Sequence, residues 1–123
     1  MPKTASKKIL IVDDEKPLAK ALELKLSHAG FETHVANNGE DAINALKKES
    51  FSLMLLDLIM PKMDGFKVLE EMKKLKKKPP VIVLSNLSQS EDMDKAKKLG
   101  AKGFFIKSDT SLAEVVKQVN TYL

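Results

Sequence analysis

The residues best placed to do chemistry in this chain each stand at the end of a short apolar run. Ile9-Leu10-Ile11-Val12 ends in Asp13-Asp14-Glu15, and Leu53-Met54-Leu55-Leu56 ends in Asp57. Val81-Ile82-Val83-Leu84 ends in Ser85, and Phe104-Phe105-Ile106 ends in Lys107. Crowded carboxylates repel one another and resist ionising together. A hard divalent cation relieves this, and Mg²⁺ takes oxygen ligands, typically one or two carboxylates with waters and a phosphate oxygen. A carboxylate can also act as a nucleophile and form an aspartyl phosphate. The transferring group then needs positive charge and hydrogen-bond donors around its equatorial oxygens. Mg²⁺, Lys107 and the Ser85 hydroxyl are able to supply them. No nitrogen or sulfur metal site competes: cysteine is absent, and His28 and His34 lack ligand spacing and read as structural or surface residues.

Each of these residues also has a plainer reading. Asp14 could cap a following helix and Asp13 could sit in a turn. Asp57 could open the loop that holds Pro61 and Gly65 by side-chain turn bonding. Ser85 could bond its own backbone, and Lys107 could be an ordinary surface lysine. Their coincidence at the ends of apolar runs favours one shared site.

The elements that must position them are set by the hydrophobic pattern. Four of five short apolar runs are continuous, as in strands buried on both faces of a parallel sheet. The run Thr33-His34-Val35-Ala36 is thinner and more polar, which suits an edge strand. Helical stripes lie between the runs. Leu18, Leu22, Leu26 and Ala29 form the first, with Pro17 in the first turn and Gly30 as the stop. Ala42, Ile43 and Leu46 form the second. Phe66, Leu69, Met72 and Leu75 form the third, ended by Pro79-Pro80. Met93, Ala96 and Leu99 form the fourth, opened by Ser88 and Glu91 at capping-box spacing, with Glu91–Lys95 and Asp94–Lys98 as favourable pairs. Leu112, Val115, Val116 and Val119 form the fifth, opened by Ser111 and Glu114. Five β-α units predict an α/β fold, a parallel sheet with right-handed crossovers and helices on both faces. In such folds ligands bind beyond the carboxyl ends of the strands. That is where Asp13, Asp14, Asp57, Ser85 and Lys107 gather.

Composition narrows the function further. The 123 residues suit a single domain, expected to span 1–123 with residues 1–7 as a flexible segment and nothing left for an output domain. The chain is 43% hydrophobic and 31% charged, with a net charge of +4, as expected of a globular protein. No run has the roughly 7–15 apolar residues of a signal peptide or the ~20 of a membrane span, so a cytoplasmic protein without membrane contact is expected. All 21 basic residues are lysine, and arginine is absent. Without guanidinium forks, sequence-specific nucleic-acid binding is not expected. The run Lys73, Lys74, Lys76, Lys77, Lys78 reads as a solvated helix end that complements the helix dipole.

Four segments together resemble the receiver domain of bacterial response regulators, the single-domain chemotaxis type included. They are Ile9 to Glu15, then Asp57-Leu58-Ile59-Met60-Pro61-Lys62-Met63-Asp64-Gly65, then Pro80 to Ser85, then Gly100-Ala101-Lys102-Gly103-Phe104-Phe105-Ile106-Lys107. The resemblance covers almost the whole chain in order, and the aspartate-to-glycine motif is its most specific part. It implies a doubly wound, flavodoxin-like (βα)5 fold with strand order 2-1-3-4-5. It also implies that Asp57 accepts a phosphoryl group from a phosphohistidine on a sensor histidine kinase or phosphotransfer protein. Asp13, Asp14, Asp57 and the backbone carbonyl of Ile59 would hold Mg²⁺, and Lys107 and Ser85 would bind phosphoryl oxygens. Ser85 and Phe104 would form the switch, repacking the face of the fourth helix, fifth strand and fifth helix that a downstream protein reads. A monomer or weak dimer is expected, with no turnover beyond self-phosphorylation from a donor and self-dephosphorylation.

Three positions depart from the commonest family pattern. Ser108 follows Lys107 where proline is usual, so the usual cis turn is not assumed, since a non-proline cis bond costs ~2.5–4 kcal/mol. Asn86 follows Ser85 where a small residue is usual. Ile59 is apolar two residues after Asp57; with Leu87 it predicts slow hydrolysis of an aspartyl phosphate. Ile59 also speaks against an aspartate-nucleophile phosphatase, whose second acid usually stands there. A flavin carrier would need a phosphate loop after the first strand, and Asp13-Asp14-Glu15 would repel phosphate without a metal. The remaining alternative is a degenerate receiver that binds partners without phosphorylation.

Overall fold

Apolar runs and helical stripes alternate strictly along the chain, and each run becomes a strand. The computed structural model describes residues 7–61, 63–87 and 89–123. The strands are β1 (Lys8–Val12), β2 (Glu32–Ala36), β3 (Leu53–Leu56), β4 (Val81–Ser85) and β5 (Gly103–Ile106). The helices are α1 (Lys16–His28), α2 (Gly39–Lys48), α3 (Gly65–Met72), α4 (Ser90–Lys98) and α5 (Leu112–Tyr122). A short 3₁₀ turn, Lys107–Asp109, leads from β5 toward α5. All strand pairs are parallel, in the order β2-β1-β3-β4-β5. This is the flavodoxin-like α/β fold, with the strand order that the resemblance implies.

Strand periodicity divides the core between the two faces. Leu10, Val12, Met54, Leu56 and Val83 pack with Ile43, Leu46, Val68, Leu69, Met72 and Ala96 from α2, α3 and α4. Ile9, Ile11, Leu53, Leu55, Ile82 and Leu84 pack with Ala19, Leu22, Leu26, Val115 and Val119 from α1 and α5. Strands β1, β3 and β4 are therefore sequestered on both sides, which is why their sequences do not alternate. β2 is the half-exposed edge its composition predicts. β5 departs from the expectation of a doubly buried strand. It forms the other edge, and Phe104, Phe105 and Ile106 are only half-buried.

The helix ends reflect local chemistry. Ser111 Oγ accepts from the Glu114 N–H at 3.1 Å, as its spacing predicts. Asn38 and Asp64 cap α2 and α3 in the same way, accepting from Asp41 N–H at 2.8 Å and Lys67 N–H at 2.9 Å. Gly30 and Gly100 take positive φ, +99° and +113°, just after α1 and α4. α3 stops at Met72, short of Leu75 and the proline pair, because the chain enters a turn at Lys73 and Lys74. The N-cap of α1 is Glu15, so Asp14 does not serve as that cap. Ser88 lies outside the described residues, as does Lys62; the N-cap of α4 is Gln89. Apart from Lys7, the expected N-terminal segment also lies outside them. The Glu91–Lys95 and Asp94–Lys98 pairs do not form; Lys95 Nζ instead lies 4.4 Å over the Phe66 ring. Exposed ion pairs contribute little, so a cation over an aromatic face competes on equal terms.

Candidate functional site

Strand register sets the site. Val12 of β1 pairs with Leu56 of β3, so the next residues, Asp13 and Asp57, emerge side by side. Backbone bonds extend that alignment past the strands: Asp57 N–H donates to Val12 O at 2.9 Å and Asp13 N–H to Ala36 O at 3.1 Å. Gly65 fixes the loop behind Asp57. A Cβ there would stand 2.5 Å from Asp57 O and 2.6 Å from Leu58 Cα, so α3 can close onto the phosphoacceptor candidate's backbone only with glycine at its start. This is the physical content of the aspartate-to-glycine spacing.

Among the described residues, Asp13, Asp57 and Ser85 are the buried polar residues, at 2%, 4% and 0% exposure. The Lys107 side chain, 7% exposed, reaches between the acids. Its Nζ lies 3.0 Å from Asp13 Oδ2, 2.9 Å from Asp57 Oδ2 and 2.7 Å from Glu15 Oε1. The second oxygen of each buried aspartate takes a backbone donor. Ile59 N–H donates to Asp57 Oδ1 at 3.2 Å, and Glu15 N–H to Asp13 Oδ1 at 2.9 Å. Asp14 stands further out, yet an oxygen from each of Asp13, Asp14 and Asp57 lies within 4.8 Å of the others. The donor set is all oxygen, as a hard cation such as Mg²⁺ requires.

Burial dominates the electrostatics. It pushes the Asp13 carboxyl above the ordinary aspartate range, and the Glu15 N–H and Lys107 offset only part of this. Burial pulls Lys107 down, but its bonds to Glu15, Asp57 and Asp13 outweigh that and hold it above the ordinary lysine value. Lys107 is therefore charged at neutral pH and is not an ordinary surface lysine. The Ser85 Oγ makes no hydrogen bond to any described group and does not bond its own backbone. A buried hydroxyl left so costs ~1–3 kcal/mol. It is a ready donor for an incoming oxygen anion.

Asp14, Glu15, Asp57, Ile59, Asn86 and Lys107 line a cavity of about 180 Å³. Ile59 borders it and is 53% exposed, whereas Leu87 packs against the core on the face of α2, α3 and α4. Phe104 packs against that same core from β5. Two residues with no role assigned from sequence contribute here. Glu15 is a third carboxylate on Lys107, hinted at only by its place in the acidic triplet. Asn86 Oδ1 accepts from the Ser108 N–H at 3.1 Å, joining the loop after Ser85 to the loop after Lys107. Two departures from the family pattern are thus bonded to each other; proline at 108 would have no N–H to give. The Lys107–Ser108 peptide bond is trans.

Comparisons with known proteins agree with this arrangement. The family model for the response regulator receiver domain matches residues 9–120. The chain is 39% identical over 100 residues to the probable transcriptional regulator ycf27 of Porphyridium aerugineum, covering 81% of this chain and 41% of that protein. It is 38% identical over 104 residues to the regulatory protein AtoC of Escherichia coli (strain K12), covering 85% of this chain and 23% of that one. This chain therefore spans less than half the length of these relatives. Among solved structures, the Vibrio cholerae chemotaxis protein CheY4 superimposes with a TM-score of 0.89 at 27% identity, covering 97% of this chain and 100% of that one. The Francisella response regulator 1452 receiver domain does so at 0.88 and 29% identity, covering 95% and 96%. The expectation that nucleic acid is not involved gains no support, since ycf27 carries the name of a transcriptional regulator. Among the described residues no helix is long and apolar enough to cross a membrane.

Proposed function

From the premise that the chain belongs to the response regulator receiver family, we propose that it is a phosphorylation-controlled signalling switch with Asp57 as the phosphoacceptor. The observation that carries this is the Lys107 ammonium, buried and bonded to Asp57 at 2.9 Å, beside a buried Ser85 hydroxyl with no partner among the described residues. An Asp57 oxygen attacks the phosphorus of a phosphohistidine on a sensor histidine kinase or phosphotransfer protein. The new O–P bond forms as the N–P bond breaks, and the departing imidazole nitrogen keeps the electron pair. Lys107 already stands where it can neutralise phosphoryl oxygens carried on Asp57, and the Ser85 hydroxyl can donate to one of them.

Asp13, Asp14, Asp57 and the Ile59 backbone carbonyl would hold Mg²⁺. When bound, the ion supplies the positive charge that lets these carboxylates and the phosphoryl group share one crevice. Drawing Ser85 toward the phosphoryl group shifts the end of β4. Phe104, opposite Val83 on the neighbouring strand, moves with it and repacks the face of α4, β5 and α5 for a downstream protein to read. Phe104 has no hydroxyl to strand, so its burial leaves no polar group unpaired.

Incubation with Mg²⁺ and a small acyl phosphate, followed by intact-mass measurement, tests this reading. A gain of one phosphate that is lost in Asp57→Ala supports the switch. No adduct on the wild-type chain overturns it in favour of a phosphorylation-independent interaction module.

A further inference from the structure

The edge of the sheet opposite Asp57 gathers eight lysines. There the ends of α2, α3 and α4 meet the starts of β3, β4 and β5. Two grooves of about 540 and 450 Å³ lie side by side and share Lys78 and Pro79 as a wall. Both volumes fall in the range of ligand-holding clefts. Leu46, Phe51 and Leu75 line the first groove, and Leu69, Met72 and Leu99 the second. Lys47, Lys48, Lys76 and Lys77 join Lys78 around the first; Lys73, Lys98 and Lys102 join it around the second. None of these eight lysines is in an ion pair among the described residues. Glu49, the one acidic residue lining either groove, is bonded to Lys8.

Helix dipoles explain only part of this charge. Lys47 and Lys48 sit in the last turn of α2 and Lys98 in that of α4, where cations are favoured. α3 has no basic residue in its last turn. Lys76, Lys77 and Lys78 lie beyond it, past the reach of an effect that fades within one turn. Gathering like charges there costs self-repulsion that an anionic partner would relieve.

We propose that this edge docks an acidic polypeptide segment with apolar anchors. Its carboxylates meet the lysine rim, and its apolar side chains enter the two grooves. Nucleic acid fits less well. No arginine offers a planar fork to phosphate. Phe51, the one aromatic residue lining either groove, is 9% exposed and presents no stacking face. Docking at this edge does not depend on Asp57 chemistry.

The full chain is titrated into a short, dye-labelled peptide of Asp and Glu carrying two leucines, read by fluorescence anisotropy and by amide shifts on the ¹⁵N-labelled protein. Binding is expected to shift Leu75, Lys76, Lys77, Lys78, Leu99 and Lys102. The triple variant Lys76→Glu, Lys77→Glu, Lys78→Glu should lose about tenfold or more in affinity, roughly 1.4 kcal/mol. Its ¹⁵N amide spectrum should keep the wild-type dispersion away from the edge, which shows that it folds. Lys47→Glu with Lys48→Glu should weaken binding as well. Equal affinity for a peptide with serine in place of leucine overturns the proposal, because bare charge would then suffice. So does affinity unchanged in the triple variant, or tighter binding of labelled single- or double-stranded DNA.

Discussion

At the edge where the strands end, three carboxylates converge on one lysine; at the edge where they begin, eight lysines line two grooves without an ion pair among the described residues. Lys107 and Lys77 are the same side chain in opposite circumstances. Lys107 is withdrawn from water and bonded to Asp13, Glu15 and Asp57, so its charge is bound up with the fold. Lys77 is exposed and is in no ion pair among the described residues. The difference teaches that charge count says little about role. The role depends on whether water or the protein solvates the charge.

The strongest way to break this comparison is to remove both ammonium groups in turn. Lys107→Ala should cost ~3–5 kcal/mol of stability in chelator, because it leaves Asp13 and Asp57 buried without their counter-charge. Lys77→Ala should change stability by no more than about 0.5 kcal/mol. Denaturant unfolding of both variants measures this. Similar midpoints would mean that the buried cluster is solvated in some other way, and the contrast between the edges would fall.

Much of that contrast is legible in the sequence, for physical reasons. Val12 and Leu56 end continuous apolar runs, and parallel strands carry their next residues to one edge. The meeting of Asp13, Asp57 and Lys107 needs no more than that rule. The contacts within the site are another matter. Glu15 and Lys107 are 92 positions apart, and Asn86 and Ser108 are 22 apart. No periodicity links such residues; only the folded loops bring them together. The end of α3 is not legible, because Leu75 continues the apolar stripe while the backbone has already turned at Lys73 and Lys74. β5 reads as doubly buried because its apolar run looks like those of β3 and β4. Its edge position comes from the strand order, which no local pattern carries. The grooves at the opposite edge are hidden for a similar reason: a lysine run looks solvated until the apolar residues beneath it are located.

A milder perturbation sharpens the same comparison from the acidic side. Lys107 supplies one positive charge against Asp13, Asp14, Glu15 and Asp57, so the crevice stays crowded without a metal. Asp57→Asn removes one negative charge and keeps an oxygen to accept the Ile59 N–H. In chelator the variant should be stabler than wild type by ~1–2 kcal/mol, a rise of several degrees in Tm for a domain of this size. Mg²⁺ should raise the wild-type Tm and raise that of the variant less, since the ion stabilises whatever binds it best. Equal Tm values for both proteins in chelator would show that the single lysine already balances the site.

The smallest expected effect concerns the bond that joins the two loops. Asn86→Ala removes one largely solvated hydrogen bond, worth ~0.5–1.5 kcal/mol at most, so global stability should barely move. The local readout is more sensitive. Exchange of the Ser108 amide hydrogen should speed up about three- to tenfold, matching the loss of a bond of that strength. Asn86→Asp keeps an acceptor oxygen in the same place and should retain most of the protection. Ser108 is the residue directly after Lys107, so a freed Ser108 amide should come with broader signals from the Lys107 ammonium. Unchanged exchange in Asn86→Ala would mean that the loops hold their places without the bond, and that the two departures from the family pattern are unrelated.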